Sequence, residues 1–215
     1  MEEALSVRVT YLSHSCFEVQ DVDHTLLIDP FFSKENPNAP SYAGKPDIVL
    51  ITHEHFDHTT AERFSATVVV PPTMAGRFRK AVVMERGQTR LVEGVRVTMV
   101  SASHHQSKYP TGYVFELGGV RFAHLGDTYL DGVQPLENVA VLFIPIGGFF
   151  TMNVEEALEA LDIIKPDVVI PMHFNTFSQI KADPQRFKQL AENAGHRVTV
   201  LPVGGTATFW TDLVD

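Results

Sequence analysis

An apolar run, residues 47–52, leads without a break into His53-Glu54-His55-Phe56-Asp57-His58. This junction limits what the chain can become. A strand built of Ile48, Val49, Leu50 and Ile51 offers no solvent-facing side, so both of its faces must be covered. It belongs inside a sheet held between two layers, and it delivers a cluster of titratable groups at its carboxyl end. In open sheets that end is where functional groups gather, because neighbouring strands bring sequence-distant loops together there.

The remaining pattern supplies the layers. Residues 7–12, 16–19 and 25–29 read as short strands broken by turn-like His14-Ser15 and residues 21–23. Residues 67–70 form another strand that ends at Pro71-Pro72, and the basic stretch 74–80 predicts a short helix. Glu93-Gly94 and Gly118-Gly119 each separate two apolar runs, which predicts two hairpins with two-residue turns. After residue 139 a buried strand, 139–146, precedes a helix opening at Asn153, where Glu156 completes a capping box. Val154, Ala157, Leu158, Leu161 and Ile164 recur at helical spacing until Lys165-Pro166. A strand at 168–171, a helix at 184–194 closed by Gly195, and strands at 197–202 and 206–210 complete the chain. No Ser/Gly-rich linker interrupts it, so one domain over residues 1–215 is expected. The class is α/β (α+β), with two packed sheets flanked by helices.

Composition narrows the function. The net charge of −9 lacks the basic surplus of a nucleic-acid binder, so nucleic acid is disfavoured as a partner. Cys16, the single cysteine, excludes an intrachain disulfide and reads as a small buried hydrophobe. The acidic start MEEALSVRVT lacks the basic-then-apolar pattern of a secretory signal, and no apolar run nears the roughly 18 residues that span a bilayer. A cytoplasmic protein with no membrane partner is expected.

Imidazole and carboxylate are the donors that zinc, manganese, iron and nickel accept. At i and i+2, His53 and His55 can converge on one ion, while Asp57 and His58 project differently and can serve a second. Three further candidates follow other strands: His104, Asp127 after Gly126, and His173. Each alone would more often be structural, but four strand ends all supplying such groups point to a metal centre. His14 reads as lining the site or as a loop histidine, and Asp29 as a hydrogen-bond acceptor for a metal-binding imidazole or a strand end. Asn175 and Thr176 read as substrate contacts or loop caps. His104 is preferred over the adjacent His105, and His124, inside a strand, reads as a satisfied core histidine. Lys108, Tyr109 and Phe150 read as a lid wall or phosphate anchor, or as solvent-facing or packing residues, while Glu54 and Phe56 read as spacers facing away.

His53-x-His55-x-Asp57-His58, His104, Gly126-Asp127-Thr128 and the run 172–177 (MHFNTF) resemble the metallo-β-lactamase superfamily. With Leu12-Ser13-His14-Ser15, Leu27-Ile28-Asp29-Pro30 and the run 144–152, they are similar to its compact metal-dependent hydrolases, the subgroup related to ascorbate-6-phosphate lactonases. The resemblance runs from about residue 8 to 205 and implies a four-layer αββα sandwich. It also implies that His53, His55 and His104 hold one ion and Asp57, His58 and His173 a second, with Asp127 bridging. Two divalent ions are implied, zinc first, with manganese, iron or nickel open to the same donors. True β-lactamases that use two zincs place a cysteine at the bridging position, and the di-iron electron-transfer branch places glutamate at position 55; this chain does neither.

The expected chemistry follows from two cations sharing a water, which lower its pKa and hold a hydroxide that attacks carbon or phosphorus. Asp57 is the catalytic candidate that orients or deprotonates this nucleophile. The expected activity is hydrolysis of a small-molecule substrate: an ester, a lactone or a phosphorylated metabolite. The alternatives are a phosphodiesterase or nuclease on the same centre, or a non-catalytic metal-binding regulatory module. Loops 36–45, 106–112 and 149–152 supply the pocket walls, and a homo-oligomer remains open.

Overall fold

The computed structural model describes residues 6–211; residues 1–5 and 212–215 of the expected 1–215 domain lie outside them. The chain forms two mixed sheets laid face to face. The first has seven strands: β1 (Ser6–Tyr11), β2 (Phe17–Gln20), β3 (Thr25–Ile28), β4 (Ile48–Leu50), β5 (Thr67–Val70), β6 (Ala81–Val83) and β13 (Thr206–Trp210), in the order β13-β1-β2-β3-β4-β5-β6. The second comprises β7 (Thr89–Val92), β8 (Val95–Ser101), β9 (Thr111–Leu117), β10 (Val120–His124), β11 (Val141–Pro145) and β12 (Val168–Met172), in the order β12-β11-β10-β9-β8-β7.

Local sequence explains these elements. In β1 the apolar Val7, Val9 and Tyr11 alternate with more exposed Ser6, Arg8 and Thr10, the period-2 pattern of a strand with one buried face. β4 is buried throughout and pairs in parallel with β3 and β5, as its unbroken apolar run requires. Glu93 and Gly94 have φ of 46° and 90°, and Gly118 and Gly119 have 52° and 76°. Two successive left-handed residues give the turn whose twist matches the flanking strands, so both hairpins close as expected.

One core lies between the sheets, where Val7, Val9, Phe17, Leu26 and Leu50 meet Phe115, Phe122, Phe143 and Ile170. The outer face of the second sheet is covered by α1 (Val154–Ile164) and α2 (Pro184–Asn193). Leu142, Ile144 and Val169 of the sheet pack there with Ala157, Leu161, Phe187 and Ala191. Asn153 and Glu156 make the reciprocal bonds of the capping box, and Lys165 ends α1 in the left-handed conformation. The outer face of the first sheet is covered differently. Leu27, Val49, Ile51 and Val70 pack against Ala61, Ala66, Met74 and Phe78, which lie in irregular chain and single 3₁₀ turns rather than in α-helices.

Two expected elements differ. Residues 74–80 form no helix: a 3₁₀ turn, Pro72–Met74, gives way to turns around Gly76, whose φ of 82° breaks helical continuation, and β6 follows. Residues 197–202 form no strand beyond one bridge between Val198 and Val169. Pro202 has no N–H to donate, and the chain turns at Gly204-Gly205 to bond Tyr11 and return to the first sheet. Among the described residues no helix is long and apolar enough to cross a membrane.

β3, β4 and β5 run parallel, as do β10, β11 and β12. β8 and β10 are both antiparallel to β9 and hence share a direction. The loops after β8, β10 and β12 therefore leave the second sheet at one edge, and the loop after β4 meets them there along one rim of the sandwich.

Candidate metal centre

That rim gathers the seven expected donors. His53, His55, Asp57 and His58 follow β4, His104 follows β8, Asp127 follows β10 and His173 follows β12. His53, His58, His104, Asp127 and His173 are buried. His53 Nε2 lies 3.0 Å from His55 Nδ1, and His104 Nε2 lies 3.3 Å from the same His55 nitrogen. The Oδ2 atom of Asp127 lies 3.8 Å from the Nε2 of both His53 and His104 and 3.2 Å from that of His173, while its Oδ1 is 3.5 Å from His58 Nε2. One carboxylate thus faces both histidine groups.

The far sides of the rings settle where their protons are. His55 Nε2 lies 3.1 Å from the Gln106 carbonyl and His104 Nδ1 lies 3.0 Å from the Phe150 carbonyl. A carbonyl oxygen can only accept, so each of these nitrogens carries the proton. Asp29, fully buried at φ 44°, accepts from the Thr52 N–H at 2.8 Å and the Thr52 hydroxyl at 2.7 Å. The Thr52 oxygen, its own proton committed, takes the Nδ1–H of His53 at 3.0 Å. Asp29 also takes the Nδ1–H of His58 at 2.9 Å.

The inward nitrogens of His53, His55, His58 and His104 are accordingly bare lone pairs in the neutral rings. His53, His55 and His104 aim three of them at one point. Zinc–imidazole bonds of 2.0–2.1 Å in a tetrahedron place donor atoms about 3.3 Å apart, which matches the observed separations. His58 Nε2 and Asp127 Oδ1 are buried without a hydrogen-bond partner, a costly arrangement that a cation would resolve. Nitrogen and carboxylate oxygen suit zinc and its first-row neighbours. The residues fit a divalent-metal centre.

Charge agrees with this geometry at His53, His104, Asp57 and Asp127, and departs from it at His58. Burial lowers the pKa of His53 well below its ordinary value, and that of His104 as well, despite the opposing Asp127 charge. Burial would lower His58 too, but the carboxylates of Asp127, Asp29 and Asp57 outweigh it and raise it well above the ordinary range. Burial pushes the Asp127 carboxyl up, and the His173 and His58 imidazoles overcome this to hold it well below the usual carboxylate range. The same competition lowers Asp57, with His58 and His14 acting against burial. His53 and His104 are thus neutral and Asp57 and Asp127 anionic at neutral pH, the state that metal binding requires, whereas His58 holds a proton in the metal-free protein that an ion must displace.

Other expected residues take defined places. His14 is fully buried beside Asp57, His58 and His173. His105 lies outside, exposed against Tyr129. His124 is a satisfied core histidine, donating from Nε2 to the Ser15 carbonyl and accepting the Gly126 N–H at Nδ1. Cys16 is buried.

Of the two readings of Asn175 the structure shows the loop cap: its amide donates to the Ala182 carbonyl and its oxygen accepts the Ala182 N–H, so it clasps its own loop. Phe56 is a correction. It is 58% exposed and lines the cleft over the donors, with Phe150, Phe177, Gln106 and Gln179. Glu54 does turn away, binding the Lys108 N–H and the Ser107 hydroxyl.

Sequence reasoning gave no role to Thr52, Gln179 or Phe177, nor to the Gln106 and Phe150 carbonyls as proton acceptors. Thr52, adjoining one motif, and Phe177, closing the run 172–177, carried a signal. The cleft measures about 360 Å³, within the usual span of small-molecule sites.

Comparison with known proteins gives a consistent picture. A family model described as "Beta-lactamase superfamily domain" matches residues 8–173. A metal-dependent hydrolase from Thermoplasma volcanium is 36% identical, the match covering 91% of this chain and 96% of the relative. One from Methanosarcina mazei is 35% identical over 86% of this chain and 91% of its own length. Among solved structures, a metallo hydrolase from Ignicoccus hospitalis superposes with a TM-score of 0.84 at 31% identity, covering 95% of this chain and 98% of that one. An isothiocyanate hydrolase from Delia radicum gut bacteria shares the fold, with a TM-score of 0.72 at 15% identity over 94% of this chain and 99% of that one.

Proposed function

The chain belongs to the metallo-β-lactamase superfamily and is a metal-dependent hydrolase, and we propose that it holds two divalent ions and cleaves a small, uncharged ester or lactone. The observation that carries the metal reading is the meeting of His53 Nε2, His55 Nδ1 and His104 Nε2 at 3.0 and 3.3 Å, with their outer nitrogens committed as donors. Three lone pairs at that distance repel one another unless a cation lies between them. In this reading His53, His55 and His104 hold one ion, Asp57, His58 and His173 the other, and Asp127 spans both. When bound, two such ions supply Lewis acidity that lowers the pKa of water and polarises the scissile group.

The chain's own residues do the rest. Asp57, held anionic beside His58 and His14, accepts a proton from the attacking water or aligns it. Thr52 and Asp29 fix the ring orientations of His53 and His58, so no reorganisation is needed during reaction.

Substrate class follows from the cleft walls. Phe56, Phe150 and Phe177 face Gln106 and Gln179, and no lysine or arginine stands among the described lining residues. A phosphorylated substrate would leave its charge without a cationic partner on the wall, whereas an apolar acyl group or lactone ring gains contact with the aromatic rings. The same lack of cations, together with the net charge of −9, weighs against an RNA or DNA backbone.

Elemental analysis of protein purified without chelator tests the metal reading: about two transition-metal ions per chain are expected. A panel of uncharged esters, lactones, thioesters and phosphodiesters, run with zinc, manganese, iron and nickel, tests the activity. Failure to bind any of these metals would sink the metal reading. A loaded protein turning over only phosphate-bearing substrates would sink the substrate class.

A further inference from the structure

We propose that His14 is itself a donor to the second ion, so that the imidazoles of His14, His58 and His173 form one face of that site; this rests on the two-ion reading above. One donor atom from each of these three residues lies within 4.8 Å of the others. The His14 ring centroid is 4.3 Å from that of His173 and 5.2 Å from that of His58. His14 is fully buried, yet its Nε2 has no hydrogen-bond partner. The nearest carboxylate oxygen, Asp57 Oδ2, is 3.3 Å away without the alignment of a hydrogen bond. That distance equals the edge between two donors sharing a tetrahedral or similar ion, about 3.3 Å.

The outward nitrogen repeats the pattern of the other histidines. His14 Nδ1 lies 3.1 Å from the Thr176 hydroxyl oxygen. With the Nδ1 proton donated to Thr176, the Nε2 lone pair points inward, as in His53, His58 and His104.

The backbone is also shaped to present this ring. Ser13 and His14 have φ of 86° and 60°, two consecutive left-handed residues that are not glycine. Such conformations cost on the order of 1–3 kcal/mol each and persist only where surroundings over-determine them. Here the Cys16 N–H bonds the Ser13 carbonyl at 2.9 Å, and the His14 carbonyl accepts the His173 N–H at 2.9 Å and the Tyr11 hydroxyl at 3.1 Å. The His14–His173 backbone bond couples the placement of the two rings directly.

A crystal structure of the zinc-loaded, unmutated protein, with anomalous data at the zinc edge, gives the direct test. His14 Nε2 is expected at about 2.0–2.1 Å from the second ion; a ring that sits outside bonding distance and donates to Asp57 overturns the proposal. In solution, cobalt titrations of the unmutated chain, His14→Gln and His104→Gln separate the two sites. In His14→Gln the second equivalent is expected to bind at least tenfold more weakly and with an altered visible spectrum, while the first is unchanged. His104→Gln is expected to weaken the first. A His14→Gln protein with an unchanged cobalt spectrum overturns ligation by His14 while leaving the two-ion centre intact. An unmutated chain that takes up fewer than two equivalents overturns both.

Discussion

The Nδ1–H of His58 donates to Oδ2 of Asp29 across 2.9 Å, and both side chains are wholly buried. The same carboxylate binds the N–H and hydroxyl of Thr52, and Thr52 in turn orients His53. One buried anion therefore aligns an imidazole on each side of the proposed two-ion centre. Asp29→Ala would strand three buried donors. We expect a loss of roughly 3–5 kcal/mol in urea unfolding of the metal-free protein. For the milder Asp29→Asn, metal affinity by chelator competition should fall about 10- to 100-fold. Unchanged affinity in both variants would mean that Asp29 serves only the strand end.

Gly126 places Asp127. Its φ is 63°, and a Cβ there would lie 2.4 Å from the Thr111 carbonyl oxygen and 3.0 Å from Thr52 Cβ. We expect Gly126→Ala to shift the Asp127 loop, cutting bound metal below one equivalent by elemental analysis and lowering the unfolding midpoint. Full occupancy in this variant would show that the loop tolerates the displacement.

His124 links stability to pH. Burial lowers its pKa, outweighing the nearby Asp29 charge. Its ring stays neutral in the fold, while the unfolded chain protonates it below about 6.5. Stability that is present above pH 6.5 is therefore lost as the pH falls toward the depressed folded value. In metal-free protein, His14, lowered to about 4 mainly by burial, adds to the same trend. Urea unfolding between pH 7 and 5 should show falling stability, and His124→Gln should reduce the slope by up to one proton, about 1.4 kcal/mol per pH unit. An identical slope in the variant would contradict a buried neutral His124.

Phe56 tests the substrate class without disturbing the core, since it is 58% exposed. Its ring meets Phe31 at 5.7 Å and Phe177 at 6.4 Å across the mouth of the cleft. We expect Phe56→Ser to raise KM for aromatic or long-chain acyl esters several-fold, while KM for acetyl esters and metal content change little. This corresponds to removing about 1 kcal/mol of apolar contact. Equal effects on both ester types would place Phe56 outside substrate recognition.

Much of this was legible before any coordinates. The run Ile48–Leu50 could only be an interior strand, and the donors after it sit where such a strand must deliver them. The capping box at Asn153 and the Glu93-Gly94 and Gly118-Gly119 turns were readable because their chemistry is local. Residues 74–80 misled because a short basic stretch reads as a helix, while Gly76 at φ 82° breaks it. The outer nitrogen of His55 depends on a Gln106 carbonyl 51 residues away, and that of His104 on a Phe150 carbonyl 46 residues away. A carbonyl carries no residue signature, so nothing in the letters could show it. Phe56 was misjudged because alternation along an extended segment predicts that it faces away, whereas it opens a 3₁₀ turn, Phe56–His58.

The donors belong to both halves of the sandwich: His53, His55, Asp57 and His58 leave the first sheet, and His104, Asp127 and His173 leave the second. An ion held among them acts as a rivet between the halves. A chain with one strand slipped in register would keep its histidines but lose their convergence, and with it most of its grip on metal. Metal occupancy in such a protein becomes a form of proofreading: only correctly assembled molecules retain the ion, and retaining it lowers the fraction unfolded. Scarcity of metal would then shorten the life of the protein as well as silence it.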